Sequence, residues 1–204
     1  MITWIQRLLF AAGFVILGYC GADWLNSILR QADGNRELDH ILSDKAVPIP
    51  AAAIPDGGLI GRVEIPKLHL SAVVFQGADS SILNHGVGHL AGSALPGQPG
   101  NAVLAAHRDT FFRSLRNIQS GDTVTVTTKS GPHSYRVSST EVVDPTETSV
   151  LARTVEPTLT LITCYPFYYV GHAPKRFIVH AEPREEDAWD PRAGPSASLF
   201  RASR

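Results

Sequence analysis

The 204-residue chain has two cysteines, one methionine and a charged fraction of only 18%, and these scarcities narrow what it can do. Lys and Arg total 18 against 19 Asp and Glu, a formal net charge of −1. That balance leaves no basic stripe to track phosphates, which excludes a nucleic-acid partner. His85 and His89 lie in a Gly-rich segment with His107 further on, but no cysteine pair or acidic partner completes a usual zinc set. No metal is therefore expected. No acidic cluster for a regulatory calcium or other divalent cation is identifiable from spacing, and no cofactor is expected either. The chain shows no internal repeat.

Long uncharged runs are equally scarce. Leu8–Ala22 carries no charge, lies between Arg7 and Asp23, and has Trp4 and Trp24 just outside. A helix between the two tryptophans would span roughly 30 Å, the thickness of a bilayer's hydrocarbon core. The tryptophans would then sit at the two interfaces, with Arg7 reaching outward. Two readings stand: an uncleaved membrane anchor over residues 1–25, favoured by this length, and a signal peptide cleaved near the small residues Gly18, Cys20 and Gly21. A lipidated Cys20 is disfavoured by its bulky neighbour Tyr19. In every case the remainder of the chain leaves the cytoplasm.

Residues 26–57 read as a tether, polar from Asn26 to Ser43 and then rich in Pro and Ala through Val47-Pro48-Ile49-Pro50-Ala51-Ala52-Ala53-Ile54-Pro55. Spaced prolines fix φ and remove donors, which favours extended chain. Residues 184–204 mix charge, Pro, Gly and Ser without periodicity and read as a disordered tail.

Between them, residues 58–183 form a domain of short runs rich in Val, Ile, Thr and Leu. These are Leu59–Ile65, Leu70–Gln76, Asn101–His107, Thr123–Thr128, Ser134–Val143, Leu159–Cys164 and Arg176–Glu182. Punctuation by Gly, Pro and Asp marks them as strands. Ser80–Asn84 and Thr110–Ile118 have room only for short helices. The fold class is mainly β, a sandwich or a closed barrel.

Reactive side chains fall at the ends of these runs. Thr160-Leu161-Ile162-Thr163-Cys164 ends on a thiol, Val103-Leu104-Ala105-Ala106-His107 on a histidine, and Arg176 opens the last strand. Cys20 lies in the apolar segment, poorly placed to pair with Cys164, so an unpaired thiol is left in an oxidising compartment. Such a cysteine is either a small buried hydrophobe or a nucleophile. Taken singly, His107 reads better as a satisfied strand-end histidine and Arg176 as a solvated edge charge, and only their joint match with Cys164 reverses this.

The joint pattern resembles the sortases, cysteine transpeptidases that attach proteins to bacterial surfaces. TLITC matches their Thr-Leu-x-Thr-Cys signature, and Arg176 falls where their arginine does. His85-Gly86-Val87-Gly88-His89, Ala94-Leu95-Pro96-Gly97, Gly100-Asn101, His107-Arg108-Asp109-Thr110-Phe111-Phe112-Arg113 and Cys164-Tyr165-Pro166-Phe167 look most like the class D branch. The resemblance covers roughly residues 58–183 and departs where relatives commonly carry Gly before the histidine and this chain has Ala106.

The resemblance implies a closed β-barrel with short helices behind one N-terminal transmembrane helix, in the bacterial cytoplasmic membrane with the N-terminus inside. It makes Cys164 the nucleophile toward the threonine carbonyl of a Leu-Pro-x-Thr-like sorting signal. His107 is the acid for the leaving amine and later the base for the incoming one, and Arg176 is the donor to the oxyanion or the substrate backbone. Thr163, Tyr165 and His172 are the candidate substrate contacts; Tyr165 and Phe167 read equally as core, and His172 as an exposed loop residue. The implied partners are surface-protein or pilin substrates with a C-terminal sorting signal, an amine acceptor such as a peptidoglycan precursor, and the membrane. Two rivals stand beside it. An L,D-transpeptidase also uses an exported cysteine, but its Ser-His-Gly-Cys context is missing before Cys164. A tethered adaptor that binds peptide without cleaving it would not require Cys164, His107 and Arg176 together.

Overall fold

The structure, a computed structural model, describes residues 4, 6–19, 21–22, 54–169 and 171–184. The tether over residues 26–53, the tail over residues 185–204, and Cys20 lie outside the described residues. Residues 6–19 are helical, and Leu8, Phe10, Phe14 and Val15 are exposed on that helix. Among the described residues no helix is long and apolar enough to cross a membrane.

Eight strands close into one barrel: β1 (Leu59–Ile65), β2 (Leu70–Gln76), β3 (Val87–His89), β4 (Gly100–Ala105), β5 (Thr123–Thr128), β6 (Gly131–Val143), β7 (Pro157–Tyr165) and β8 (Lys175–Pro183). Their spatial order is β1-β2-β3-β4-β7-β8-β6-β5, and β5 pairs back onto β1. Neighbours are antiparallel except for β2 with β3 and β4 with β7, which run parallel. Closure leaves no unpaired edge.

Alternation explains the strands. In β5, Val124 and Val126 are fully buried while Thr123, Thr125 and Thr127 are only half-buried, the period-2 pattern of a sheet with one face on the core. The barrel interior is filled by Val63, Ile65, Leu104, Leu159, Leu161 and Val179. Each fully buried aliphatic side chain of this kind contributes about 1.5–3 kcal/mol relative to exposure. Through β4, Gly100–Leu104 are buried without interruption, as in a parallel strand covered on both faces.

Several expectations from the sequence are corrected. The histidine run stops being strand at Ala105, so His107 lies two residues beyond β4. The short helix expected within 110–118 is present as a 3-10 helix, Arg113–Asn117. β3 was not expected, because three residues with Gly88 at their centre carry almost no strand signal. Gly88 is required there: a Cβ on it would overlap the Gly77 carbonyl and the Leu83 side chain. The chain also engages the barrel before Gly58. Ile54 packs on the core, and the Gly57 N–H donates to the Gln76 carbonyl at 2.8 Å.

Candidate active site

Cys164 is the penultimate residue of β7 and is half-buried. Its neighbour on one side is β8, where it pairs directly with Arg176. On the other side is β4, which runs parallel in a register pairing Leu104 with Leu161 and Ala105 with Ile162. One further rung, Ala106 N–H to the Ile162 carbonyl at 3.2 Å, extends that ladder past the end of β4. His107 follows that rung by one residue and Cys164 follows Ile162 by two, so both emerge at the same end of the β4–β7 seam. Three adjacent chain segments thus present His107, Cys164 and Arg176 in a row.

Side-chain direction follows from alternation. Leu159 and Leu161 belong to the barrel core and Thr163 is buried, so Cys164, between Thr163 and Tyr165, points to the opposite face. Directly opposed residues of an antiparallel pair share a face. Arg176 is therefore on the face of Cys164, and Phe177, the partner of Thr163, packs against the core. Ala106 is a core residue, so the chain leaving it turns His107 outward.

The free cysteine and the histidine are held by their inward-facing neighbours. Thr163 Oγ1 donates to the Ala106 carbonyl at 2.7 Å, a buried bond between the residue before Cys164 and the residue before His107. Beyond the histidine, the Phe112 N–H donates to the His107 carbonyl at 3.1 Å, and Phe112 and Leu115 are fully buried. His107 is thus fixed on both sides although it lies outside a strand. The methyl of Ala106, where relatives commonly have none, is accommodated in the core.

Arg176 is half-buried. Its Nη1 donates to the carbonyls of Lys175 at 3.1 Å and Ala173 at 3.4 Å, and among the described residues no carboxylate pairs with it. Lys175 next to it is instead paired with Asp144 at 2.8 Å. A guanidinium held by backbone carbonyls keeps donors for a further partner.

The other candidates are placed differently. Thr163 is 2% exposed with its hydroxyl committed to Ala106. Tyr165 joins an aromatic cluster, stacked on Phe177 at 6.4 Å and edge-on to Phe167 at 6.1 Å. Phe167 packs against the core. His172 is exposed between β7 and β8. His89 is completely buried: its Nε2 lies 2.8 Å from the Ala94 carbonyl and its Nδ1 2.9 Å from Gln76 Oε1. Burial pushes its pKa below the usual imidazole value, against the opposing pull of the Ala94 carbonyl. His85 bonds the Ser81 carbonyl at 2.7 Å. These two histidines are engaged apart from the Cys164 row. Sequence reasoning missed Arg108, which follows His107 and donates to carbonyls beyond β7.

A family model described as the sortase domain matches residues 63–184. The chain belongs to the sortase family. Its enzyme class is that of a cysteine transpeptidase. This sortase is 32% identical over 195 residues to sortase D of Bacillus subtilis, covering 87% of this chain and 96% of the relative. It is 28% identical over 142 residues to sortase A of Listeria monocytogenes, covering 64% of each. Among solved structures it resembles the sortase D5 transpeptidase of Clostridium perfringens, with a TM-score of 0.59 at 27% identity over 74% of this chain and 88% of that one. A C. perfringens sortase C solved with the C-terminal cell wall sorting motif gives a TM-score of 0.60 at 26% identity, covering 76% and 86%.

Proposed function

We propose that this sortase is membrane-anchored and cleaves a Leu-Pro-x-Thr-like sorting signal by acyl transfer through Cys164. The reading rests on Cys164 being paired with Arg176 on one side, while on the other His107 leaves the neighbouring segment at the same end of the β4–β7 seam. The Cys164 thiol gives its proton to His107 and its sulfur attacks the threonine carbonyl, while Arg176 donates to the oxygen as it becomes negative. As the C–N bond breaks, His107 gives its proton to the leaving amine. The thioester is then attacked by an acceptor amine whose proton returns to His107, or by water when no amine is present. The fixed positions of Ala106 and Thr163 supply the preorganisation such a sequence requires.

The substrates in this reading are surface proteins or pilins with a C-terminal sorting signal, and the acceptor is an amine such as a peptidoglycan precursor. A related sortase C has been solved with such a motif, which supports the substrate class. Residues 1–25 serve as the single-pass anchor, 26–57 as the linker, 58–183 as the catalytic domain and 184–204 as the tail, with the N-terminus inside and the barrel outside the cytoplasmic membrane. The uncharged run Leu8–Ala22 and the exposed apolar side chains of residues 6–19 support the anchor. Tyr165, the last residue of β7, and His172, within the β7–β8 connection, are the further substrate contacts in this reading.

The test is incubation of the full-length protein in detergent with a Leu-Pro-x-Thr-x peptide library, with and without an added amine. The expected result is an acyl adduct on Cys164 and a product carrying the amine. No adduct with any peptide would overturn the reading. N-terminal sequencing of membrane-extracted protein checks the anchor: a start near Gly21 would refute its retention.

A further inference from the structure

The β7–β8 connection, of which residues 166–169 and 171–174 are described, leaves the barrel one residue after Cys164 and its neighbour Tyr165 and returns just before Arg176. Its ends are fixed by the β7–β8 ladder, and its middle is fastened to the segment that follows His107. Arg108 Nη2 donates to the Tyr169 carbonyl at 2.6 Å and to the Gly171 carbonyl at 3.0 Å. The guanidinium lies 5.8 Å from the centre of the Tyr169 ring. Arg116, further along the same segment, donates to the Tyr168 hydroxyl and lies 5.3 Å over that ring. Two consecutive tyrosines are thus each held by an arginine.

The two contacts are unequal. Arg116 and Tyr168 are exposed, where such a pair contributes little. Arg108 is half-buried and keeps its Nη1 buried without a partner, and it bonds two backbone carbonyls, although these belong to the exposed Tyr169 and Gly171. A buried unsatisfied donor costs free energy, so this side chain stays inward because the loop carbonyls and the Tyr169 ring hold it there. Arg108 is also covalently next to His107, whose backbone the core residues around it already fix.

We propose that Arg108 is a positioning residue: it latches the β7–β8 connection against the His107 segment and thereby sets one wall of the peptide groove. This rests on the sorting-peptide reading given above. The Cys164 row is held by the strand ladders and the Thr163–Ala106 bond, so releasing the latch displaces the wall and leaves the nucleophile in place.

The test uses full-length protein and compares R108A, Y169A and the double variant. R108A raises KM for the sorting peptide by about tenfold, the scale of one charge-assisted hydrogen bond, and changes kcat much less. The rate of iodoacetamide labelling at Cys164, read by peptide mass, stays at the wild-type value. Hydrogen exchange in the peptide covering 166–174 quickens. Y169A reproduces a part of the effect, and the double variant is no worse than R108A, because both break one latch. R108K recovers only part of the affinity, since an ammonium keeps the charge but not the planar donor fork. Wild-type KM and unchanged exchange in R108A would overturn the proposal, as would fully additive losses in the double variant. A wild-type protein inert to every sorting peptide, with exchange still quickened by R108A, would instead sink the peptide reading and leave the latch standing.

Discussion

Cys164 and Arg176 are direct cross-strand partners at the neighbouring ends of β7 and β8. Their side chains leave the sheet on one face, a placement fixed by pairing geometry rather than by the flexible length of either side chain. An arginine that is a rung of the same ladder as the thiol lies within reach of an oxygen carried on that thiol's acyl group.

Replacing Arg176 by Lys is therefore a sharp test. Lysine keeps the charge but loses the planar fork of donors. Removing one donor to a developing oxyanion costs about 2.7–4 kcal/mol, or roughly 10² to 10³ in rate. R176K is expected to slow peptide cleavage by about that factor while thermal stability and Cys164 labelling stay near wild type. Cleavage at nearly the wild-type rate would make Arg176 a surface charge.

Among the described histidines, His107 is the one that follows the end of β4 where that strand pairs with β7. H107A is expected to abolish turnover, whereas H85A, H133A and H180A leave it largely intact. Steady-state cleavage with circular dichroism as the folding control reads this. Loss of activity in all four folded variants would point to a metal site instead.

Thr163 offers a third test, on stability as well as activity. T163V keeps the shape but leaves the buried Ala106 carbonyl without its 2.7 Å donor. An unsatisfied buried acceptor costs about 1–3 kcal/mol, so the urea midpoint falls and turnover drops because His107 and Cys164 lose their common tie. T163S retains the hydroxyl and is expected to stay close to wild type in both measurements. Equal midpoints for T163V and wild type would dismiss the tie.

His89 predicts a pH dependence. Its folded-state pKa lies below the ordinary value because the ring is buried. Below about pH 6.5 the unfolded chain takes up a proton that the folded ring resists, so folding stability falls as pH drops. The stabilisation is complete above that value and is lost on the way down toward the depressed folded pKa. Urea midpoints at pH 7.5 and 5.5 are expected to differ more for wild type than for H89Q; equal differences would remove His89 as the cause. A neutral ring is satisfied when the Gln76 amide turns its NH2 toward Nδ1, since amide orientation is assigned from the network.

Much of the barrel was legible in advance because β-branched residues announce strands. The TVTVTT of β5 and the LIGRVEI of β1 were read with their observed ends. β3 escaped because its strand character comes from tertiary fit: Gly88 pairs in parallel with Phe75 where no Cβ would fit. The end of β4 was read two residues late, at His107, for a related reason. Val103–Ala106 is apolar enough to continue a strand, yet the pairing with β3 ends at Ala105, and the chain turns toward the buried Phe112. The cysteine and arginine were found because a motif names them. The Thr163–Ala106 and Arg108–Gly171 bonds join a side chain to a distant carbonyl, and a carbonyl carries no sequence signal.

The parallel pairing of β4 with β7 has a consequence for when this enzyme can act. The two strands are separated in the chain by all of β5 and β6, and no hairpin can bring them together; their meeting awaits closure of a long intervening loop. Until then the thiol of Cys164 lacks the His107 segment, although the short β7–β8 connection already lets β8 bring Arg176 beside it. A chain in which that loop is still open thus carries an incomplete set of reactive groups, and full reactivity waits on the pairing of two strands far apart in the sequence.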